Sequence, residues 1–222
     1  MNDSKFKKLD TYIEYPQSEM IERSAKYYSE LNRRRTVRTF SEREVPHEVI
    51  ENCIKAAGTA PSGANMQPWY FVVVNDVDLK NKIKTEAEKV EKDFYSGIAS
   101  EEWLGALKPL ETNSEKPFLG KAPCLIVIFE RKYDELPDGT RIKHYYTKES
   151  IGIATGFLIL AIHNAGLVSL TYTPSPMTFL NDLLKRPVNE KPFLVLVVGY
   201  PQEGTEVPDI KRKTLEKIAA FI

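Results

Sequence analysis

Four arginines and one threonine hydroxyl lie within six residues of this chain, from Arg33 to Arg38, although the protein carries no net charge. A guanidinium group binds phosphate through two parallel hydrogen bonds, so the cluster is chemically suited to hold an anion. The β-branched residues here favour an extended backbone, which would send Arg34, Thr36 and Arg38 to one face. An alternative interpretation is a solvated basic helix end, because arginines at a C-terminus complement the helix dipole.

Apolar patterning identifies the elements that would position these residues. Residues 20–32 predict a helix before the arginines, and Pro46 is placed to open a second helix that ends near Gly58. Continuous apolar and β-branched runs predict strands at 69–74, 124–129, 167–173 and 193–198. We expect these strands to be buried on both faces.

Two further helices are expected in the second half of the chain. Residues 151–165 are apolar almost all round, which is typical of a helix buried on every side, either in one core or against a second subunit. Ser175 and Pro176 predict the start of a later helix that carries Phe179 and Leu183. Strands alternating with helices indicate a single layered domain over residues 1–222, of α+β or α/β class.

The segment 79–117 differs from the rest in having few residues that could form a core. Leu79, Ile83, Ala87, Val90 and Phe94 form only a thin apolar stripe among Lys and Glu. A segment with so little to hold it is a candidate active-site lid.

Composition excludes several classes of protein. Lys plus Arg and Asp plus Glu are balanced at 31 each, so nucleic acid is not an expected partner. The sequence has no spacing typical of a metal site, no GxGxxG motif and no P-loop. Cys53 and Cys124 fall in apolar contexts, as expected for buried thiols in a reducing compartment. No apolar run is long enough to span a membrane, so we expect a soluble, cytoplasmic protein.

Several motifs, taken in chain order, resemble the FMN-dependent nitroreductase superfamily. The broad match is carried by Arg34–Arg38, Ala60–Trp69, Asn164–Leu167 and Val198–Pro201. A narrower similarity is to the bacterial members of the iodotyrosine deiodinase branch. It is carried by Ala57–Ala64, His144–Tyr146 and Val207–Lys213. The resemblance implies an α+β fold with a nitroreductase-like mixed sheet flanked by helices. It also implies an intertwined homodimer with FMN at the subunit interface.

The resemblance assigns cofactor roles to individual residues. Arg34, Arg35 and Thr36 match the residues that hold the FMN phosphate, with Arg38 toward the ribityl and pyrimidine end and Arg212 joining from the end of the chain. The remaining matches are the flavin-packing loop and the strand under the flavin: Pro61, Ser62, Gly63, Thr171, Tyr172 and Thr173. Thr173 matches the family's donor to flavin N5, a contact that favours one-electron steps. Two of these residues also have simpler interpretations, since Arg212 lies in a charge run and Thr173 could bond its own backbone.

The substrate assignment separates the deiodinase branch from general nitroreductases. Glu91, Tyr95 and Lys116 match the residues that grip an amino-acid zwitterion, and the backbone N–H of Ala64 matches the group that receives the substrate phenolate. Glu91 and Tyr95 are four residues apart, so they share a face of the predicted helix. Solvated surface charges would give the same local pattern, because Glu and Lys abound in this segment.

The resulting expectation is FMN-dependent reductive dehalogenation of halotyrosines. NAD(P)H is one candidate electron source and a separate reductase is another. Two alternatives stay open: a general FMN-dependent nitro or quinone reductase that uses NAD(P)H, and a non-enzymatic flavoprotein that binds halotyrosine.

Overall fold

The computed structural model describes residues 6–222, and for Ile98 the backbone alone. Its residues group into two compact units, one up to Arg34 and one from Arg35 to Ile222. Among the described residues the helices are α1 (Gln17–Arg33), α2 (His47–Gly58), α3 (Val77–Asp93), α4 (Glu101–Leu107), α5 (Phe118–Lys121), α6 (Thr147–Asn164) and α7 (Phe179–Leu183). The strands are β1 (Trp69–Val74), β2 (Cys124–Arg131), β3 (Tyr133–Glu135), β4 (Arg141–Lys143), β5 (Val168–Tyr172) and β6 (Glu190–Gly199).

The first unit consists of α1 and the residues around it. The helix confirms the one predicted over residues 20–32, and none of its side chains is buried. Within it, the Arg33 guanidinium donates to the Glu30 carboxylate through Nε at 3.1 Å and through a second, shorter bond. Arg33 therefore already has an acidic partner inside its own helix. Arg34 caps that helix in an extended conformation, and its N–H donates to the Leu31 carbonyl.

The second unit is built on a four-stranded sheet with strand order β1-β2-β6-β5. Every neighbouring pair is antiparallel, and a parallel bridge between Thr36 and Ser169 adds the mixed character at the β5 edge. The central strands β2 and β6 are the most apolar and the most completely buried. Burial of apolar surface on both faces of these strands is the main source of the unit's stability. The α+β class is confirmed.

Helices cover both faces of the sheet. The α2 and α6 helices pack on one face, where Ile50, Ile126 and Leu158 share a core. The α3, α5 and α7 helices pack on the other face around Ile83, Leu119 and Leu180. Both cysteines are buried and unpaired. No helix in the described range is long and apolar enough to cross a membrane.

Two predictions differ from the structure. Strand β1 is only partly buried between its ends, because it lies at an edge of the sheet. The last predicted helix begins at Phe179 rather than at Pro176, and Thr178 occupies the position before its first turn.

Helix α6 is covered on one side only within this chain, and Ile153 and Phe157 on its other side are exposed. Of the two environments expected for this helix, burial on every side within one core is not observed.

Candidate active site

The segment that begins at Arg35 runs along the edge strand β5. Thr36 bridges Ser169 in parallel, and the Val37 N–H donates to the Ser169 carbonyl at 3.2 Å. Val37 is buried, which fixes the segment against the sheet. In this register Arg38 reaches the level of Thr171, at the C-terminal end of β5.

A cavity of about 230 Å³ opens at that end of β5. It brings together residues that are far apart in sequence: Arg38, Glu91, Tyr95, Lys116, Thr171, Tyr172 and Thr173. Its remaining walls are mostly apolar: Val90, Phe94, Trp103, Leu107, Leu110, Thr112, Phe118, Leu170, Pro174 and Ser175. Pockets for drug-sized ligands usually measure about 300–1,000 Å³, so the cavity of one chain alone would enclose only part of such a ligand.

The cavity contains a buried ion pair between Lys116 and Glu91. Lys116 Nζ lies 3.1 Å from Glu91 Oε2, and the two side chains are 4% and 12% exposed. Lys116 Nζ also donates to Thr112 Oγ1 at 3.2 Å and to the Asn113 carbonyl. The ammonium group therefore has three oxygen atoms around it. The Lys116 backbone N–H donates to the Glu88 carboxylate at 2.7 Å, which ties the segment before α5 to α3.

Aromatic rings form the side of the cavity next to this pair. Phe94 packs edge-on against Tyr95, with ring centroids 5.3 Å apart, and against Trp103, with centroids 4.9 Å apart. Lys116 Nζ lies 5.5 Å from the Tyr95 ring centroid, a distance at which a cation is attracted by the ring face. The cavity thus offers the Glu91 carboxylate, the Lys116 ammonium and the Tyr95 phenol beside an apolar wall, groups that could bind an aromatic amino acid.

Arg38 supplies a second positively charged side chain to the cavity. Its guanidinium is partly buried and makes no ion pair with another described residue, and burial lowers its pKa. A partly buried cation without an acidic partner, next to the exposed residues Thr171 and Thr173, fits a ligand that carries oxygen acceptors and negative charge.

Pro61, Ser62, Gly63 and Ala64 lie outside this cavity. The loop is held by bonds from Gln67 N–H to Ser62 Oγ at 2.9 Å and from Gly63 N–H to Ser150 Oγ at 3.3 Å. A Cβ on Gly63 would lie 2.9 Å from the Tyr145 carbonyl oxygen, so the residue must be glycine for the loop to pack there.

Three residues of the same loop have a left-handed backbone conformation although none of them is glycine. Ala64, Asn65 and Gln67 have φ angles of 49°, 54° and 48°. Conformations of this kind cost about 1–3 kcal/mol each and are often found where a ligand is held.

The C-terminal tail meets the first residues of the second unit. Arg35 donates to the Pro208 carbonyl, and the hydroxyls of Thr39 and Thr205 lie 3.0 Å apart. Arg212 lies farther along this tail, is exposed, and does not line the cavity.

Sequence reasoning missed part of the cavity wall. Phe94, Trp103 and Thr112 line it although none was proposed as a site residue. Phe94 follows Glu91 by three positions, so helical spacing could have placed it on the same face. Trp103 lies in the short helix α4, which the sequence did not predict, and Thr112 lies outside any helix or strand, so spacing gave no such signal for either. No group of three His, Cys, Asp or Glu residues that could hold a metal ion occurs in the part of the chain that is described.

The fold and the cavity agree with comparisons to known proteins. Residues 31–200 match the model of the nitroreductase family. The chain belongs to the nitroreductase family.

Within that family the similarity is to iodotyrosine deiodinases. The chain is 57% identical to the iodotyrosine deiodinase of Haliscomenobacter hydrossis over 94% of its own length and 93% of the relative. It is 46% identical to human iodotyrosine deiodinase 1 over 94% of its own length and 72% of the relative. Among solved structures, an oxidized iodotyrosine deiodinase bound to FMN and 3-iodo-L-tyrosine superimposes with a TM-score of 0.76 at 31% identity, covering 88% of this chain and all of the other.

Proposed function

We propose that this protein is an FMN-dependent reductive dehalogenase of halotyrosines. The observation that carries the proposal is the single cavity in which Glu91, Tyr95 and Lys116 face the same space as Arg38 and Thr173. The first group matches an amino-acid zwitterion, and the second matches a flavin. The deiodinase relatives and the structure bound to FMN and 3-iodo-L-tyrosine support the same assignment.

Different residues of the cavity would bind different groups of the substrate. Glu91 would accept from the substrate ammonium, while Lys116 and Tyr95 would donate to its carboxylate. The backbone N–H of Ala64 would donate to the phenolate. Residues 79–117 would act as a lid that excludes water from the substrate when it closes.

The cofactor side would be formed by the positions that the family resemblance assigns. Arg34, Arg35, Thr36 and Arg212 would hold the phosphate, and Thr173 would donate to N5. When bound and reduced, FMN would supply two electrons, which together with one proton replace the aryl carbon–halogen bond by carbon–hydrogen while the halogen leaves as halide. NAD(P)H or a separate reductase would restore the reduced flavin. The two unpaired cysteines are consistent with a cytoplasmic location.

A homodimer is part of the proposal, because one chain does not assemble the whole site. Pro61, Ser62, Gly63 and Ala64 lie outside the cavity that contains Glu91 and Lys116. Helix α6 presents Ile153 and Phe157 to solvent beside Gly152 and Gly156, where an added Cβ would meet nothing within 4 Å. A second copy packed on this face would bury the apolar side chains and bring its own loop to the cavity.

The test is a halide assay on purified, FMN-loaded protein under anaerobic conditions. Dithionite reduces the flavin, 3-iodotyrosine is added, and both iodide and tyrosine are quantified. We expect one iodide and one tyrosine per substrate consumed. A general nitro or quinone reductase would instead reduce a nitroaromatic with NAD(P)H and leave the free amino acid unchanged. Tight binding of iodotyrosine without halide release would indicate a binding protein.

A further inference from the structure

The Tyr172 hydroxyl is a buried polar group without a hydrogen-bond partner among residues 6–222. Its ring packs edge-on against Phe118, with centroids 5.5 Å apart, and the whole residue is 8% exposed. Leaving a buried hydroxyl unpaired costs free energy, so such an atom is usually satisfied in some state of the protein.

The surroundings of this hydroxyl identify the state in which it would be satisfied. Tyr172 lines the same cavity as Glu91, and Lys116 Nζ lies 5.9 Å from its ring centroid. Burial raises the pKa of the phenol, and the negative charge of Glu91 raises it further. The carboxylate is thus close enough to act on the phenol, but the two groups do not have the geometry of a hydrogen bond.

In the ligand-free protein the Glu91 carboxylate is held by Lys116, which also donates to Thr112 and Asn113. A zwitterion that enters the cavity would draw Lys116 to its own carboxylate. Glu91 would then lose its partner at the moment when it must face the ligand ammonium, and a second donor would be needed to hold it.

We propose that Tyr172 is a positioning residue that donates its hydroxyl proton to Glu91 when a halotyrosine zwitterion separates the Glu91–Lys116 pair. The Glu91–Lys116 ion pair is replaced by two ion pairs, one between Glu91 and the ligand ammonium and one between Lys116 and the ligand carboxylate. The hydrogen bond from Tyr172 then holds the Glu91 carboxylate toward the ligand ammonium. This inference rests on the proposed function.

The test uses Tyr172→Phe, which removes only the oxygen atom, in FMN-loaded protein. Binding is followed by quenching of flavin fluorescence with 3-iodotyrosine and with 2-iodophenol, which lacks both the ammonium and the carboxylate and so would leave the Glu91–Lys116 pair intact. A hydrogen bond to a charged group corresponds to about tenfold or more in affinity. We expect about tenfold weaker binding of iodotyrosine, unchanged binding of 2-iodophenol, and an unchanged flavin spectrum.

Three comparisons separate this role from a structural one. Tyr70→Phe, outside the cavity, should leave both affinities unchanged. Tyr172→Phe should have no further effect in a Glu91→Gln background, because the hydroxyl acts through the carboxylate. The melting temperature should stay the same or rise, since the hydroxyl is unpaired in the ligand-free protein.

The inference is overturned if both ligands are weakened equally, if the loss persists in the Glu91→Gln background, or if the variant melts several degrees lower. Equal binding of iodotyrosine to wild type and Tyr172→Phe would also overturn it while leaving the proposed function intact. Failure of the wild type itself to bind iodotyrosine would instead refute the proposed function.

Discussion

Replacing Glu91 by Gln removes one charge from the buried pair that lies across the cavity. Glu91 Oε2 and Lys116 Nζ are 3.1 Å apart and nearly inaccessible to solvent. Gln keeps the size and one carbonyl acceptor, so the change acts mainly on charge. The substitution therefore tests whether Glu91 is the acceptor for a ligand ammonium.

The expected effect on stability follows from the geometry of the pair. At 3.1 Å, and with an effective dielectric constant of about 20, two unit charges attract by about 5 kcal/mol. Desolvation of both groups offsets much of this attraction. Lys116 also keeps the Thr112 hydroxyl and the Asn113 carbonyl as acceptors in the variant. We therefore expect the free energy of unfolding to fall by about 2 kcal/mol.

The effect on binding depends on the charges of the ligand. An iodotyrosine loses a charge-assisted bond of about 1.5–3 kcal/mol, so its Kd should rise by about 10- to 150-fold. A propionate analogue without the ammonium should bind as well as before or better, because its carboxylate no longer competes with Glu91 for Lys116. FMN content should not change.

The assay is flavin fluorescence quenching with both ligands, with urea unfolding measured on the same preparations. Glu86→Gln is a matched control, since Glu86 lies on the same helix, is exposed, and pairs with Lys89. The assignment of Glu91 would be refuted if both ligands lost affinity to the same extent, or if iodotyrosine bound as in the wild type.

Four further results are expected. Arg38→Met should lower FMN affinity about tenfold or more with little loss of stability, measured by flavin release on dilution, because it removes a partly buried cation with no acidic partner. Gly63→Ala should reduce FMN content, because its Cβ would meet backbone at 2.9 Å, whereas Gly58→Ala, with nothing within 4 Å, should not. Thr155→Val should raise the free energy of unfolding by about 1 kcal/mol in urea titrations, since its buried hydroxyl has no partner among residues 6–222; a comparable loss would contradict this account. Burial raises the pKa of the Cys124 thiol from 9.0 to about 12, so the folded protein favours the neutral thiol. The stability that this thiol contributes is therefore complete below pH 9 and is lost toward pH 12. In urea titrations, the alkaline loss of stability should be smaller in Cys124→Ala.

The core elements could be predicted because their patterns are local. Strands β2 and β6 are continuous apolar runs, and α2 begins after a proline as expected. The exposed side of α6 could not be predicted, since an apolar residue such as Phe157 looks the same whether its own chain or another subunit covers it. The predicted start of α7 was wrong because Ser175 and Pro176 are also compatible with the bend and the extended residues that precede the helix.

The candidate site was predictable in its residues more than in its geometry. Glu91, Tyr95 and Lys116 were proposed from a family resemblance, and the structure places them in one cavity. Their spacing alone could not show that Glu91 and Lys116 neutralise each other, because that contact depends on how the segment before α5 folds back on α3. The sequence also could not show that the Tyr172 hydroxyl is buried and unpaired, because burial depends on the tertiary structure.

The bond from Arg35 to the Pro208 carbonyl has a consequence for how the protein is made. The two residues are separated by 173 positions, and Thr39 and Thr205 by 166. Contacts of such large separation form late, because the entropy of closing the chain must be overcome first. A growing chain on the ribosome would complete its central sheet only once β6 had emerged, and would secure the arginine segment only after Pro208. Capture of flavin would then belong to the last stage of maturation.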